Sequence, residues 1–284
     1  MSRMIGIIGG SGIYAIPGVK IHSSRRIETP FGDPSADVTF GSMHGLELAF
    51  IPRHGHGHRY SPSEVPYAAN IYALKSLGVD AIISFNAVGS LREEIEPRHF
   101  VVPDQLFDRT KGIRRSTFFD GGVVAHAPFG DPYCPGLRKL LVKAAESAGA
   151  VVHDGGTLVI MEGPAFSTRA ESEFYRSQGW HLIGMTALPE AKLAREAGLC
   201  FATLAMSTDY DCWRQGEEDV TLEMVLEVVK DNVRMAGSVL AEALLLLAEE
   251  EPVHCECSVP VGHMTFSDAR SREKMSQLEI VLKR

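Results

Sequence analysis

The chain has 284 residues, of which 28 are basic and 36 acidic, giving a net charge of −8. Hydrophobic residues make up 45% and charged residues 23%, ordinary globular usage that excludes a disordered, collagen-like or coiled-coil chain. The acidic balance and the lack of a block of lysine and arginine argue against nucleic acid as the main partner. A chain of this length forms one large α/β domain or two smaller ones.

The sequence favours a cytoplasmic protein. The apolar N-terminal stretch is short and broken by glycines, so it does not predict a signal peptide, and no segment has the roughly 18 consecutive apolar residues of a membrane span. Five cysteines, an odd number, favour mostly reduced thiols. Cys255 and Cys257 form a C-x-C pair that does not make a zinc site alone; it is an ordinary part of the tail or a redox-labile disulfide.

Short apolar runs alternate with amphipathic stretches along the chain. The runs predict strands at residues 4–8, 46–51, 81–85, 100–102, 157–161, 182–185 and 200–206. Helices are predicted at 63–77 with Ser63 as N-cap, at 137–148, after a capping box of Thr168 and Glu171, and at 189–197. The longest helix keeps apolar residues at helical spacing from Leu222 to Leu247, with Asp219 or Thr221 as its cap.

This alternation predicts an α/β fold with a mixed central sheet, rich in parallel pairs, flanked by helices. Residues 1–252 would form one domain, and residues 253–284 a polar tail with a weakly helical end. Ligands of such folds gather at the carboxyl ends of the strands. Five predicted strands end near Ser11, Arg53, Asn86, Thr186 and Asp209. Polar groups that are scattered in sequence are therefore expected to converge at one edge of the sheet.

Two of these strand ends favour an anion site. The GGSG turn at residues 9–12 presents N–H groups and the Ser11 hydroxyl to an anion, or is a tight turn only; it fits neither the dinucleotide-binding nor the P-loop pattern. Arg53 and His54 follow the second strand, and arginine binds tetrahedral oxyanions bidentately. The adjoining GHGHR segment could instead be a solvated loop. A metal site is disfavoured, because alternating histidines point to different sides and no acidic residue is nearby.

The other strand ends favour a flat or sugar-like ligand. Asp209 and Asp211 follow a strand, where a buried carboxyl with a raised pKa can exchange a proton with a nitrogen heterocycle, or where it only caps a helix or faces water. Met185 offers a thioether surface and Thr186 a hydroxyl, although a methionine here is as readily part of the core. Together these residues predict a site for an oxyanion beside an apolar ring or sugar.

Six motifs carry a resemblance to a known family. They are GIIGGSGIY, PRHGHGHRYSPSEVPYAANIYALK, NAVGSLREEI, EGPAFSTRAESEFYR, MTALPEAKLAREAG and MSTDYDCW, in order from residue 5 to about residue 213. This pattern resembles the 5′-methylthioadenosine phosphorylases, within the trimeric branch of the purine nucleoside phosphorylases. The resemblance implies the single-domain purine nucleoside phosphorylase-like fold, a small-molecule nucleoside and phosphate as substrates, no metal or organic cofactor, and a homotrimer or a dimer of trimers. One expectation for the tail is a place at the subunit interface.

The resemblance also implies roles for individual residues. Phosphate would be held by Ser11, Arg53, His54, the turn at Asn86 and Ala87, and Thr186. The nucleoside would be held by Phe166, Ser167, Met185, Asp209 and Asp211, with Leu222 and Val225 around the 5′-methylthio group and His126 reaching into a neighbouring subunit's site. The sequence departs from many relatives at Ala165, where arginine is frequent, and at Asn86, where some have threonine.

The implied chemistry is phosphorolysis of methylthioadenosine to adenine and methylthioribose 1-phosphate. Asp209 would protonate or hydrogen-bond the leaving base at N7 and accept from its 6-amino group, while bound phosphate attacks C1′. A carboxylate repels a 6-oxo group, so Asp209 argues against the alternatives of a 6-oxopurine, methylthioinosine or broad purine nucleoside phosphorylase. A hydrolytic nucleosidase would not need the phosphate-binding residues, and a non-catalytic binding protein would not need the acid.

Overall fold

A computed structural model describes residues 3–10, 18–214, 222–249, 255 and 271–283. The strands are β1 (Met4–Gly9), β2 (Lys20–Arg25), β3 (Val38–Met43), β4 (Leu46–Pro52), β5 (Val79–Ser90), β6 (Phe100–Val102), β7 (Gln105–Arg109), β8 (Val152–Asp154), β9 (Thr157–Met161), β10 (Leu182–Gly184) and β11 (Cys200–Asp209). The helices are α1 (Tyr67–Ser76), α2 (Pro135–Ser147), α3 (Arg169–Ser177), α4 (Ala187–Glu196), α5 (Leu222–Glu249) and α6 (Arg272–Leu282).

These strands form one mixed sheet around the long strand β5. The main path runs β2-β3-β4-β1-β5-β10-β9-β7, and β11 branches from β5 to carry β6 and β8. The pairs β1–β4, β1–β5 and β5–β11 are parallel, whereas β10 pairs antiparallel with the last residues of β5. The α/β fold with a mixed sheet flanked by helices is therefore confirmed, and β5 with β11 forms its centre.

Apolar clusters cover both faces of the sheet. On one face, α1, α4 and α6 bury residues such as Leu74, Leu193 and Leu278. On the other face, α2 and α5 bury residues such as Leu141 and Leu244. Because β5 and β11 are covered on both faces, they are buried almost throughout rather than at alternate residues. Polar side chains in these two strands are therefore exceptions that need buried partners.

The structure corrects several sequence-based boundaries. The strand predicted to end at Phe85 continues to Ser90, so Asn86 and Ala87 lie inside β5 and not in a turn. Helix α1 begins at Tyr67, and Ser63 is not its cap; the Ser63 hydroxyl contacts the carboxylate of Glu162 instead. The predicted strand at 200–206 extends to Asp209.

Other local predictions are confirmed. The capping box of Thr168 and Glu171 begins α3: each side chain accepts a hydrogen bond from the backbone N–H of the other residue. Leu188 has extended backbone angles, so the regular part of α4 begins near Pro189 as predicted.

The sequence analysis did not predict strands β2, β3, β7 and β8. No helix in the described part of the chain is long and apolar enough to cross a membrane.

Candidate active site

A buried ion pair organises one side of the candidate site. Arg53 follows β4, and its Nε and Nη2 donate to Oε1 and Oε2 of Glu190 at 2.6 and 3.0 Å. Arg53 is 2% and Glu190 0% exposed. Nη2 also donates to the Ser84 hydroxyl at 2.7 Å, and Nη1 donates to the carbonyl of Phe85 at 2.8 Å. Removing either member of such a pair strongly destabilises the fold, because the remaining charge is then buried without compensation.

A chain of hydrogen bonds extends from this pair to Thr186. The Ser84 hydroxyl lies 2.9 Å from Glu190 Oε2 and 3.0 Å from Asn86 Oδ1. Asn86 Nδ2 in turn donates to Thr186 Oγ1 at 2.8 Å. Thr186 precedes α4 and is nearly buried, whereas Ala87 beside Asn86 is exposed despite its place in a central strand. The structure thus brings three of the predicted phosphate ligands, Arg53, Asn86 and Thr186, into one network.

Sequence analysis did not find Ser84 and Glu190, the two residues that connect this network. Ser84 lies in an apolar strand and Glu190 in an otherwise apolar stretch of α4. A carboxylate on a helix face that must be buried requires a cationic partner. This requirement could have indicated the Glu190–Arg53 pair from the sequence, since Arg53 is predicted to follow a buried strand.

Burial favours the neutral form of His54 over the charged form. Its Nδ1 lies 2.8 Å from the carbonyl oxygen of Tyr60, and its ring stacks on His58 with centroids 4.1 Å apart. Burial, with a contribution from the positive charge of Arg53, lowers the pKa of His54 to about 4. A carbonyl only accepts hydrogen bonds, so Nδ1 carries the proton and Nε2 keeps a lone pair. His54 therefore supplies a hydrogen-bonding group and not a positive charge.

Two carboxyl groups lie at the end of β11, on the other side of the site. Asp209 Oδ2 accepts from the Thr208 hydroxyl at 2.6 Å, and Asp209 Oδ1 accepts from the Asp211 N–H at 2.7 Å. Burial is the largest cause that raises the pKa of Asp209 and of Asp211, and the charge of Asp209 raises the pKa of Asp211 further. Oδ2 of Asp211 is buried without a hydrogen-bond partner among the described residues.

The strand register gives the spacing between the two sides. Asp209 is paired with Gly89 in β5, and Asn86 lies three residues earlier on the same strand. Three residues of strand span roughly 10 Å. A Cβ atom at Gly89 would lie 3.0 Å from Asp209 Oδ1, so the glycine lets the carboxylate approach the strand. The polar network at Asn86 and the carboxylate of Asp209 thus lie roughly 10 Å apart along the strands.

Two loops flank the space between these groups. Gly163, with φ +66°, packs so closely on Met185 that a Cβ there would lie 2.5 Å from the methionine sulfur. In the same loop the ring of Phe166 is 54% exposed. The Ser167 carbonyl accepts from Cys212 Sγ at 3.4 Å, which ties this loop to the segment after Asp209. Of the predicted base-side residues, Ser167 is thus linked to the segment that follows Asp209, and Met185 packs against the loop that carries Phe166.

Arg114 holds these loops together and was not found in the sequence analysis. Its buried guanidinium donates to the carbonyls of Met185 and Leu188 at 2.5 and 2.9 Å. It also donates to the carbonyl and the carboxylate of Glu162 at 2.6 and 3.1 Å. The Arg114 side chain thereby links two segments: the turn that contains Met185 and the loop that follows β9.

Some predicted site residues lie outside the described structure or away from the cluster. Ser11 is outside the described residues, and so are the side chains of Leu222 and Val225, which belong to the first turn of α5. His126 is exposed in the connection between β7 and α2.

Comparisons with known proteins agree with this arrangement. Residues 4–245 match the family model of the phosphorylase superfamily. A curated S-methyl-5′-thioadenosine phosphorylase from Chloroflexus aurantiacus is 58% identical over 89% of this chain and 88% of its own length. The chain belongs to the S-methyl-5′-thioadenosine phosphorylase family.

Further members of this family span the whole chain. The enzyme of Geobacter sulfurreducens is 49% identical over 99% of both chains. A crystal structure of a methylthioadenosine phosphorylase from an antarctic soil metagenomic library superposes with a TM-score of 0.94 at 44% identity, covering 99% of both chains. The Schistosoma mansoni methylthioadenosine phosphorylase in complex with adenine gives a TM-score of 0.84 at 39% identity, over 88% of this chain and 93% of that one. Family, fold and architecture are thus the ones that the sequence motifs indicated.

Proposed function

We infer that the chain catalyses the phosphorolysis of 5′-methylthioadenosine to adenine and 5-methylthioribose 1-phosphate. The observation that supports this most is the pairing of a polar network at Asn86 with a carboxylate at Asp209, on adjacent strands and roughly 10 Å apart. Phosphate occupies the first position, the purine the second, and the sugar lies between them. The enzyme is therefore a pentosyltransferase.

Phosphate is bound by hydrogen-bond donors more than by net charge. Arg53 is neutralised by Glu190, and His54 is uncharged near neutral pH. Asn86, Thr186, the backbone at Ala87 and the Ser11 hydroxyl complete the set of donors. With Nδ1 committed to Tyr60, His54 accepts a hydrogen bond from the protonated oxygen of monohydrogen phosphate. The bound phosphate stabilises the positive charge that develops on the sugar and then attacks C1′.

The carboxylate pair acts on the purine. The raised pKa of Asp209 suits a group that shares or delivers a proton at N7 as the glycosidic bond breaks. Asp211, with one oxygen lacking a partner among the described residues, accepts from the 6-amino group of adenine or supports Asp209 in doing so. A 6-oxo group would face carboxylate oxygens without a proton to donate. Phe166 stacks on the base, and Ser167 lines its edge.

The 5′ end of the nucleoside faces apolar residues. Leu222 and Val225 at the start of α5 surround the methylthio group, and Met185 packs under the ribose. An apolar pocket rejects an added hydroxyl group only modestly, by about 10²-fold at most. Adenosine is therefore a slower substrate and not an excluded one.

The active unit is a homotrimer in the cytoplasm, alone or paired as a hexamer, that needs neither a metal nor an organic cofactor. Ile113 and Val124 are 71% and 50% exposed on the same connection that carries His126, which supports a contact surface there. His126 completes the site of a neighbouring subunit through this surface. Phosphate is the co-substrate, and treatment with a chelator is expected to leave turnover unchanged.

The test is release of the free base with and without phosphate from four nucleosides: methylthioadenosine, adenosine, methylthioinosine and inosine. We expect strict dependence on phosphate and fastest turnover of methylthioadenosine. Base release without phosphate would indicate a hydrolase and overturn the proposal. Faster turnover of the two inosine substrates would retain the phosphate site and overturn the roles of Asp209 and Asp211.

A substitution at Arg53 tests the proposed phosphate site separately. Arg53→Ala should raise the KM for phosphate, because the guanidinium is one of the groups that meet the anion. It should also lower the free energy of unfolding, because it leaves the carboxylate of Glu190 buried without its counter-charge. Arg138 in α2 is the control, since it also donates to backbone carbonyls and to a carboxylate, that of Asp154, which is exposed. Arg138→Ala should leave the phosphate KM unchanged. An unaltered phosphate KM in Arg53→Ala would contradict the assignment.

A further inference from the structure

Three cysteines that are far apart in sequence meet at one point. Cys134 and Cys200 are buried and Cys255 is half-buried, and their three sulfur atoms lie within 4.8 Å of one another. The sulfurs of Cys134 and Cys255 are 3.6 Å apart. We propose that these residues, the thiol cluster, form a binding site for a thiophilic metal ion such as Zn²⁺.

Three separate parts of the fold build the thiol cluster. Cys134 is the N-cap of α2, and its N–H donates to the Phe201 carbonyl at 2.8 Å, which holds it against the start of β11. Cys200 is the first residue of β11, and Cys255 lies beyond the end of α5. The fold therefore places two further thiols, those of Cys134 and Cys200, next to Cys255 of the C-x-C pair. Both lie 55 or more positions earlier in the chain. Sequence spacing alone cannot reveal such a site.

The spacing of the sulfurs suits a metal ion. Zinc binds thiolate sulfur at about 2.3 Å, so three thiolates around one zinc ion lie about 3.8–4.0 Å from each other. The observed range of 3.6 Å to 4.8 Å encloses these values, and no sulfur has to move by more than about 1 Å. A disulfide would require a separation of about 2 Å, would use two of the three sulfurs and would leave the third beside it.

The start of α2 favours a thiolate at Cys134. The N–H of Leu137, in the first turn of α2, donates to Cys134 Sγ at 3.5 Å, and the N-terminal end of a helix stabilises negative charge. The cluster is part of the apolar core between the sheet and α2 with α5, which excludes water from an ion bound there. Each thiol that binds loses its proton to solvent, so the affinity falls as the pH falls.

The thiol cluster is remote from the phosphorolysis site. Cys200 and Asp209 are the first and last residues of β11, and nine residues of strand separate them by roughly 30 Å. An ion at the cluster would join the segment after α5 to α2 and β11, and so its effect is on the stability of the fold and not on turnover.

The experiment titrates Cd²⁺ into the full-length, reduced, chelator-treated protein and follows the sulfur-to-cadmium charge-transfer absorption in the ultraviolet. We expect one ion per chain, displaced by Zn²⁺, and a rise in Tm when Zn²⁺ is present. Cys255→Ser should weaken binding by more than the roughly 10–100-fold that loss of a supporting group costs a metal site, and should abolish the Tm shift. Cys212→Ser is the matched control, because Cys212 lies at the other end of β11, and it should bind Cd²⁺ as the wild type does.

Cys200→Ala provides a second variant, because it removes a different sulfur from another segment. It too should lose the charge-transfer band while retaining the circular dichroism of a folded α/β protein. Equal Cd²⁺ binding by the wild type and Cys255→Ser would overturn the proposal. So would mass-spectrometric detection, in protein alkylated at lysis, of a disulfide that joins two of the three cysteines.

Discussion

The proposed phosphate side and the proposed base side of the site differ in how their buried charges are compensated. On the phosphate side, Arg53 has its charge matched by Glu190, and a chain of hydrogen bonds continues from this pair through Ser84 and Asn86 to Thr186. On the base side, Asp209 and Asp211 share a partly buried space without a cation of their own, and one oxygen of Asp211 has no partner in the described structure. Burial raises the pKa of both carboxyl groups.

This difference suggests that the phosphate side serves to position its ligand and that the base side carries out proton exchange. A saturated network stabilises the fold and holds its donors in place before phosphate arrives, so little reorganisation is needed during the reaction. A pair of like charges with raised pKa values is costly to the fold and is suited to proton exchange with a bound base. Substitutions on the phosphate side should therefore lower stability, and substitutions on the base side should lower activity while stability is kept.

The largest effect is expected from Glu190→Ala. It leaves the guanidinium of Arg53 buried without its counter-charge, and breaking a buried pair in this way typically costs about 3–5 kcal/mol. We expect a loss of this size in the free energy of unfolding, measured by urea denaturation.

An exposed ion pair gives the control for Glu190→Ala. Asp33 and Arg26 lie as close as 2.6 Å, but their side chains are 61% and 64% exposed. Asp33→Ala should leave the free energy of unfolding almost unchanged, because solvent screens an exposed pair. Similar losses in the two variants would show that burial does not govern the strength of the Arg53 pair.

Asp209→Asn should lower kcat for methylthioadenosine by about 10²-fold or more, the usual contribution of an acid–base group. The variant keeps the shape of the side chain but cannot deliver a proton to N7. Its ratio of methylthioinosine to methylthioadenosine turnover should rise, because the amide can donate to a 6-oxo group. Asp80→Asn, at an exposed carboxylate near the start of β5, is the control and should leave kcat unchanged. Unchanged turnover in Asp209→Asn would remove the residue from the mechanism.

Gly89→Ala should displace Asp209 without altering its chemistry. The new Cβ would lie 3.0 Å from Asp209 Oδ1 and 3.0 Å from Ile183 Cγ2, so one of them must move by a few tenths of an ångström. Since a displacement of 1 Å costs about 10²-fold, we expect kcat to fall by roughly 10-fold. At Gly130 a Cβ would meet no atom within 4 Å, and Gly130→Ala should leave kcat as it is. Equal rates for the two variants would mean that the contact at Gly89 does not position the carboxylate.

Sequence reasoning identified the fold class and the candidate residues at the strand ends, because periodicity and glycine-bounded strands depend on local interactions. It placed Asn86 in a turn because the polar residue follows an apolar run. Only the neighbouring strands β10 and β11 show why β5 continues through it.

The partners of the site residues required the tertiary structure. Glu190 is 137 positions from Arg53, and Arg114 is 71 positions from Met185, so no local pattern joins them. The thiol cluster is of the same kind: each cysteine is unremarkable in its own segment, and the fold alone makes them neighbours.

The smallest effect concerns stability and pH on the base side. Because the pKa of Asp211 is raised in the folded protein, the folded state keeps its proton at pH values where the unfolded chain has lost it. Stability therefore falls as pH rises from the ordinary carboxyl pKa through the folded one. Asp211→Asn removes the charge and should raise the free energy of unfolding at pH 7 by about 1 kcal/mol, the size of a typical single-site effect. The gain should vanish at a pH below the ordinary carboxyl pKa, where both states are protonated. Urea denaturation of both proteins at the two pH values measures it, and a gain independent of pH would show that the carboxylate charge is not its cause.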